Sequence, residues 1–113
     1  MKINCLSCGH KVDMDDSLLS TKEVFALKVK DDSMVGSGIL DGDYVLARRQ
    51  HNAENGDILV FIIGDEITVK KYYTEGDKVL LISANEAYET RIIKKNSSDL
   101  QIAGKVIGLF RKY

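Results

Sequence analysis

The sequence has 113 residues, a length that indicates one compact domain with a real hydrophobic core. Hydrophobic residues make up 44% of the chain and the net charge is −1, so no basic surface of the kind that binds nucleic acid is expected. No apolar run approaches the roughly 20 residues that span a membrane, and the N-terminus lacks the apolar core of a signal peptide. These properties predict a cytoplasmic protein without a membrane partner and without direct DNA binding.

The first 22 residues are polar and acid-rich, which sets them apart as an N-terminal arm from a domain over residues 23–113. Cys5 and Cys8 lie in this arm, and in a reducing cytoplasm such a pair indicates metal or redox chemistry before a disulfide. Their spacing resembles one knuckle of a zinc ribbon, for which either His10 supplies a third ligand or two chains supply two ligands each. The alternative is an arm with two free thiols.

Strand after strand is predicted from residue 23 onward, with short helical turns near residues 17–22 or 35–40. Alternating or continuous apolar residues, many of them β-branched, fill short segments between tight turns. The segments are VFALKVK, DYVLARR, DILVFII, EITVKKYY, KVLLISA and DLQIAGKVIGLFRKY. The predicted class is therefore mainly β.

The Gly-Asp dipeptide at 64–65 predicts a two-residue type II′ hairpin turn. Such a turn fixes the register, so that Leu59 lies opposite Lys70 and Phe61 opposite Thr68, with Thr68 on the same face as Lys70. Lys70 is thereby predicted to have the most apolar surroundings of the lysines.

An apolar setting matters because a lysine accepts a proton only when it is neutral, and burial lowers the pKa of an amine. A serine paired with a neutral lysine is a recognised nucleophile and base. Ser33, between two acids and a methionine, is the candidate nucleophile, with an ordinary loop serine as the alternative. For Lys70 the alternative is a chain that extends from a sheet edge to water.

Four stretches carry a resemblance to a known family: FALKVKDDSMVGSGILDGDYVLARR, NGDILVFIIGDEITVKKYY, VLLISANEAY and IAGKVIGLFRKY. Together they closely resemble the C-terminal peptidase domain of the LexA repressor and UmuD family, from Glu23 to Tyr113. The resemblance implies a fold of short, highly curved antiparallel strands. It places Ser33 at the position of the family's nucleophile and Lys70 at that of its general base.

The activity implied by the resemblance is hydrolysis of one peptide bond in the protein's own chain, as part of the SOS response to DNA damage. In the family a RecA–single-stranded DNA filament stimulates this reaction, and catalysis requires no cofactor. Backbone N–H groups around Ser33, with Asp32 or Met34, are expected to stabilise the oxyanion. Thr68 is expected either to hydrogen-bond Lys70 or simply to favour the strand. A carboxylate of Asp31 or Asp32 close to Lys70 would oppose catalysis by raising the lysine pKa.

The sequence departs from the family in two ways. It shows no helix-turn-helix motif before the peptidase domain. The only upstream match to the family's Ala-Gly or Cys-Gly cleavage site is Cys8-Gly9, which is closer in sequence to Ser33 than the family leads us to expect. Ala103-Gly104 is a further match, but it lies in the predicted last core strand.

Three functions remain open at this point. The leading one is a LexA/UmuD-like serine peptidase that forms a homodimer through its C-terminal strand. A signal-peptidase-like enzyme would share the Ser–Lys chemistry but predicts a membrane anchor. A dimerisation or partner-binding module without catalysis, carrying a metal-binding arm, predicts no cleavable bond within reach.

Overall fold

The computed structural model describes residues 2–4, 11–13 and 24–111. Within these ranges the chain forms nine strands and one 3-10 helix, the helix at Val35–Ser37. The strands are β1 Lys2–Asn4, β2 Lys11–Asp13, β3 Val24–Lys28, β4 Tyr44–Arg48, β5 Ile58–Ile63, β6 Glu66–Glu75, β7 Lys78–Ile82, β8 Arg91–Lys94 and β9 Leu100–Phe110.

The strands expected from residue 23 onward are confirmed as β3, β4, β5, β6, β7 and β9, with ends that move by a few residues. The 3-10 helix lies in the stretch 35–40, where a short helical turn was expected, whereas the stretch 17–22 lies outside the described residues. Strands β1, β2 and β8 were not expected. All three are short and rich in polar residues, so they lack the periodicity that identifies a half-buried strand.

Strands β3 to β9 form one seven-stranded sheet in the order β3-β4-β9-β5-β6-β7-β8, while β1 and β2 pair separately. Every pairing is antiparallel. The predicted mainly-β class is therefore confirmed, and β9, the last strand in sequence, is the third strand in the sheet order.

The β5–β6 hairpin has the predicted register, with Leu59 paired to Lys70 and Phe61 paired to Thr68. Gly64 has φ of 58°, and no non-glycine residue among those described has a positive φ. A first turn residue with a positive φ, followed by a second without one, fits the type II′ turn. The Gly-Asp dipeptide thus determines which side chains lie across from Lys70.

Two irregularities in β9 mark where the sheet bends. Leu46 and Ala47 pair with Gly108 and Val106, and Val60 and Phe61 pair with Gly104 and Ile102, so β9 carries one extra residue at each place. Extra residues of this kind bend the strand and increase its twist.

This bending matters for the distance between β3 and β6. In a flat sheet these strands, four positions apart, would lie about 19 Å from each other at about 4.8 Å per strand. Instead, Phe25 and Leu27 of β3 share a core cluster with Val60 of β5 and Val69 of β6. The sheet therefore folds over itself and brings the end of β3 above β6.

A second core cluster lies on the opposite face of β5. It contains Leu59, Phe61, Tyr72, Val79 and Leu81. Because Val60 belongs to the first cluster, β5 is buried on both faces, as its continuous apolar run predicts. Lys70 pairs with Leu59, so its side chain emerges on the face of this second cluster.

The turn before β4 is tied to the end of β9 by an ion pair. The buried Asp43 carboxylate accepts hydrogen bonds from Arg111 Nε at 2.7 Å and Nη2 at 2.8 Å, and one from the Leu40 backbone N–H at 2.7 Å. The hydrogen bond from Arg111 is the main cause that holds the pKa of Asp43 below its usual value. This carboxylate stabilises the turn that follows Ser33.

Candidate active site

Ser33 lies in the turn between β3 and the 3-10 helix and is only 2% exposed. The turn is fixed locally because the Ser33 N–H donates to Asp31 Oδ1 at 3.0 Å, a two-residue Asx-type bond. On its other side, the Met34 side chain is 1% exposed and packs in the first core cluster. The backbone at Ser33 is thus held by a hydrogen bond to Asp31 on one side and by the buried Met34 side chain on the other.

Lys70, on β6, meets Ser33 across 37 residues of sequence: its Nζ lies 2.7 Å from Ser33 Oγ. Lys70 is 8% exposed, which is uncommon for a lysine. The hairpin places Lys70 opposite Leu59, and the bend of the sheet brings the turn that follows β3 close to β6. The two residues singled out by the sequence therefore lie in direct contact.

The pKa of Lys70 is lowered from its ordinary value, chiefly because burial disfavours the ammonium. The charges of Asp31 and Glu66 oppose this effect and that of Arg91 adds to it. The Tyr88 ring centre lies 5.8 Å from Nζ. The balance of these effects raises the fraction of neutral amine at a given pH.

Asp31 contacts the serine rather than standing apart from it. Its Oδ1 accepts the Ser33 hydroxyl at 2.8 Å as well as the Ser33 N–H. The sequence identified a nearby carboxylate as unfavourable, and Asp31 does raise the lysine pKa, but burial has the larger effect. Ser33 Oγ is therefore hydrogen-bonded on one side to Lys70 and on the other to Asp31.

The loop of residues 83–88, which follows β7, holds the serine turn from outside. Ala84 O accepts the Gly36 N–H at 2.7 Å, and Asn85 Nδ2 donates to Asp32 O at 3.0 Å. The Tyr88 hydroxyl donates to Asp32 Oδ1, which raises the pKa of Tyr88. Sequence analysis gave this loop no role, although the stretch VLLISANEAY formed part of the family resemblance.

Two pockets meet at the serine. One, of about 320 Å³, runs between the end of β3 and the start of β6; the other, of about 300 Å³, lies over Lys70 and reaches Tyr88 and Arg91. Asp31, Ser33 and Thr68 line both. The two pockets therefore adjoin at Ser33.

The supporting residues predicted from sequence all lie near the serine. Thr68 is 8% exposed and has its side chain on the same face as Lys70. The Asp32 carboxylate accepts a hydrogen bond from the Tyr88 hydroxyl, and Asp32 is not among the charges that shift the pKa of Lys70. The backbone N–H groups of Asp32 and Met34 donate to no acceptor among the described residues, whereas that of Ser33 is occupied by Asp31.

Ser83 is a pocket residue that sequence analysis did not consider. Its hydroxyl is the one buried side-chain nitrogen or oxygen in the described part of the chain without a hydrogen-bond partner. It directly follows β7, whose pairing with β6 ends at Lys71 and Ile82, so Ser83 and Lys70 are the next residues on the two segments. A register for the β6–β7 hairpin, had it been derived from the sequence, would have identified Ser83.

The predicted cleavage and metal residues Cys5, Cys8, Gly9 and His10 lie outside the described residues. No group of three or more metal-binding side chains occurs among residues that are described. The alternative bond, Ala103–Gly104, lies inside β9, where Gly104 is buried and paired with Val60. No described helix is long and apolar enough to cross a membrane.

The sequence is similar to those of known proteins. The sequence is 47% identical over 95 residues to a protein named LexA repressor from Caldicellulosiruptor saccharolyticus, an alignment that covers 84% of this chain and 45% of the relative. The chain thus spans about half the length of the curated relative that it matches. The sequence profile of the family described as peptidase S24-like matches residues 3–107, nearly all of the chain, and the protein therefore belongs to the peptidase S24-like family.

Proposed function

We propose that this chain is a serine peptidase domain that hydrolyses a peptide bond in its own chain or in a partner chain. Ser33 is the nucleophile and Lys70 the general base. The observation that carries the proposal is the 2.7 Å contact between two buried side chains, Ser33 Oγ and Lys70 Nζ. Membership of a peptidase family and the lowered pKa of Lys70 support it.

The reaction begins when neutral Lys70 removes the Ser33 proton and Oγ attacks the scissile carbonyl carbon. Negative charge then develops on the carbonyl oxygen, and backbone N–H groups near Met34 and Asp32 are the available donors. Lys70 returns the proton to the leaving amine as the C–N bond breaks. Water, activated by the same lysine, hydrolyses the acyl-enzyme. Thr68 lines this pocket and is proposed to orient Lys70.

The scissile bond that we propose is Cys8–Gly9, in the N-terminal arm. The stretch from Gly9 to Phe25 can extend roughly 50 Å at about 3.3 Å per residue, so its length permits the bond to reach Ser33. Ala103–Gly104 is a poor substrate in the folded chain because strands on both sides of β9 hold its backbone.

The test is to incubate the purified protein at about pH 10, where more of Lys70 is neutral, and to follow its mass. Loss of the first eight residues is expected at a rate that increases with pH. Ser33→Ala and Lys70→Ala are each expected to lower that rate by at least about 1000-fold, since either change removes the nucleophile–base pair.

A peptide containing a Cys-Gly or Ala-Gly bond, added in trans, separates two outcomes. Cleavage of the peptide without loss of the arm would place the natural bond in another chain. If neither is cut, even with a RecA filament present, the peptidase proposal is wrong and a binding module without catalysis is the better interpretation.

The name of the relative supports further proposals about context. We propose a role in the SOS response, stimulation by a RecA–single-stranded DNA filament, and a homodimer formed through β9. Binding of zinc by Cys5, Cys8 and His10 is a separate proposal that zinc stoichiometry of the purified protein would decide.

A further inference from the structure

We propose that Asp31 is a positioning residue that keeps Ser33 in an unreactive orientation, because its carboxylate accepts hydrogen bonds from both the hydroxyl and the backbone N–H of that serine. Asp31 thereby shifts the onset of reaction to higher pH. The inference deepens the proposed peptidase function and rests on it.

The first argument is the number of protons on Ser33. A serine hydroxyl carries one proton, and here it points to Asp31 Oδ1 at 2.8 Å. Lys70 Nζ, at 2.7 Å, must then be the donor in its own contact with Ser33 Oγ. In this arrangement the Ser33 proton points away from the Nζ lone pair, whether the lysine is charged or neutral. Attack requires the opposite arrangement, in which the hydroxyl turns away from Asp31 and donates to a neutral Nζ.

The second argument is the charge around Lys70. Asp31 and Glu66 favour the ammonium, with Asp31 the stronger of the two, and Arg91 opposes it. Of the other polar groups in the pocket, Glu89 lies on its lining and the Tyr88 hydroxyl donates to Asp32. Asp31 is therefore the carboxylate whose removal most favours neutral Lys70.

The third argument concerns the carbonyl oxygen of the substrate. That oxygen becomes negative during attack and needs N–H donors. The Ser33 N–H is unavailable while it donates to Asp31 Oδ1 at 3.0 Å, and a carboxylate in this place repels the developing charge. The same side chain thus opposes proton transfer and oxyanion stabilisation.

Asp31 exchanges no proton in this scheme. The Ser33 proton moves to Lys70 Nζ as the Oγ–C bond forms, and from Nζ to the leaving nitrogen as the C–N bond breaks. Asp31 only releases its two hydrogen bonds beforehand.

The experiment compares Asp31→Asn, which keeps an acceptor oxygen without charge, with Asp31→Ala, which removes both. Asp77→Asn, an exposed change in the β6–β7 turn, is the matched control for loss of one negative charge. Two quantities are measured between pH 6 and 11. One is the titration of Lys70 by NMR of protein with ¹³C-labelled lysine, assigned with Lys70→Met. The other is the rate at which a fluorophosphonate probe labels Ser33.

Both Asp31 variants are expected to lower the midpoint of the Lys70 titration, and the control is expected to leave it unchanged. Labelling at pH 7 is expected to rise about tenfold for each unit by which that midpoint falls, because the neutral fraction rises in proportion. Asp31→Ala is expected to label faster than Asp31→Asn, since it also frees the N–H.

An unchanged Lys70 titration in both variants would overturn the inference, as would slower labelling at pH 7. If the Lys70 titration shifts as expected but no variant, wild type included, is labelled at any pH, the peptidase function fails while the effect of Asp31 on Lys70 stands. The two failures are therefore distinguishable.

Discussion

The Lys70 side chain is 8% exposed and lies across the hairpin from Leu59, so its charged form loses most of the hydration that it has in the unfolded chain. This loss has a consequence for stability. Because the folded pKa lies below the ordinary value of 10.5, the unfolded state binds more protons in the interval between the two values. The free energy of unfolding contributed at this position therefore rises with pH across that interval, and the full cost of burying the charge is present at pH values below the folded pKa.

Lys70→Met is expected to raise the free energy of unfolding at pH 7 by about 1–2 kcal/mol, because an apolar side chain of similar length replaces a buried charge. The gain is expected to shrink as the pH rises above the folded-state pKa of Lys70, because the wild-type side chain then loses its proton in the folded state and no buried charge remains. Urea denaturation at pH 7 and at pH 10 measures the difference, with Lys78→Met, an exposed change at the start of β7, as the control. A gain of equal size at both pH values would contradict the assignment.

A two-residue turn permits only one pairing register in the hairpin. The sequence therefore allowed the surroundings of Lys70 to be predicted. The contact with Ser33 could not be derived in this way. The contact depends on the bending of the sheet at the extra residues of β9. No local sequence pattern indicates where a strand bends. Family resemblance supplied that pairing instead. The hydrogen bonds from Ser33 to Asp31 depend on the rotamer of one exposed acid, which the sequence does not specify.

At the scale of elements, the 83–88 loop and the serine turn behave as one unit. The approach is close at Gly36, where a Cβ atom would lie 2.5 Å from Ala84 O. Only a glycine allows the N–H of that residue to donate to the same oxygen without displacing the loop. The glycine after Val35 is therefore required by contact with the loop rather than by its own dihedral angles.

Gly36→Ala is expected to push the 83–88 loop outward, to lower the free energy of unfolding by about 1–3 kcal/mol, and to slow labelling of Ser33 by the fluorophosphonate probe. Gly108→Ala is the matched control, because its Cβ would meet Leu46 at 3.5 Å, an ordinary contact. Thermal unfolding and labelling rates of the two variants test the difference. Equal behaviour of the two would show that the loop adapts without cost.

At the scale of the whole molecule, β9 carries apolar side chains at its surface. Ile107 is 40% exposed and Leu109 is 42% exposed. Both are apolar side chains near the end of the strand, and an exposed apolar surface of this kind suits contact with a second copy of the chain. The C-terminal stretch proposed from sequence as the dimer contact includes both, and its last two residues lie outside those described.

Leu109→Lys is expected to convert a dimer into a folded monomer, because it places a charge in the proposed contact while leaving the core intact. Sedimentation velocity at micromolar concentration measures the mass. Ile92→Lys, which changes an exposed residue of β8, is the control and is expected to leave the dimer unchanged. A monomeric wild-type protein would rule out this use of β9.

The position of β9 also sets the order of events during synthesis. Ser33 follows β3 and Lys70 belongs to β6, and in the sheet these strands are connected through β9, which is made after both. While the ribosome has not yet added Leu100 to Phe110, β4 and β5 have no strand between them and the sheet cannot fold over. Ser33 and Lys70 are therefore expected to meet only after translation of the last strand, so the proposed peptidase would be inactive in the nascent chain.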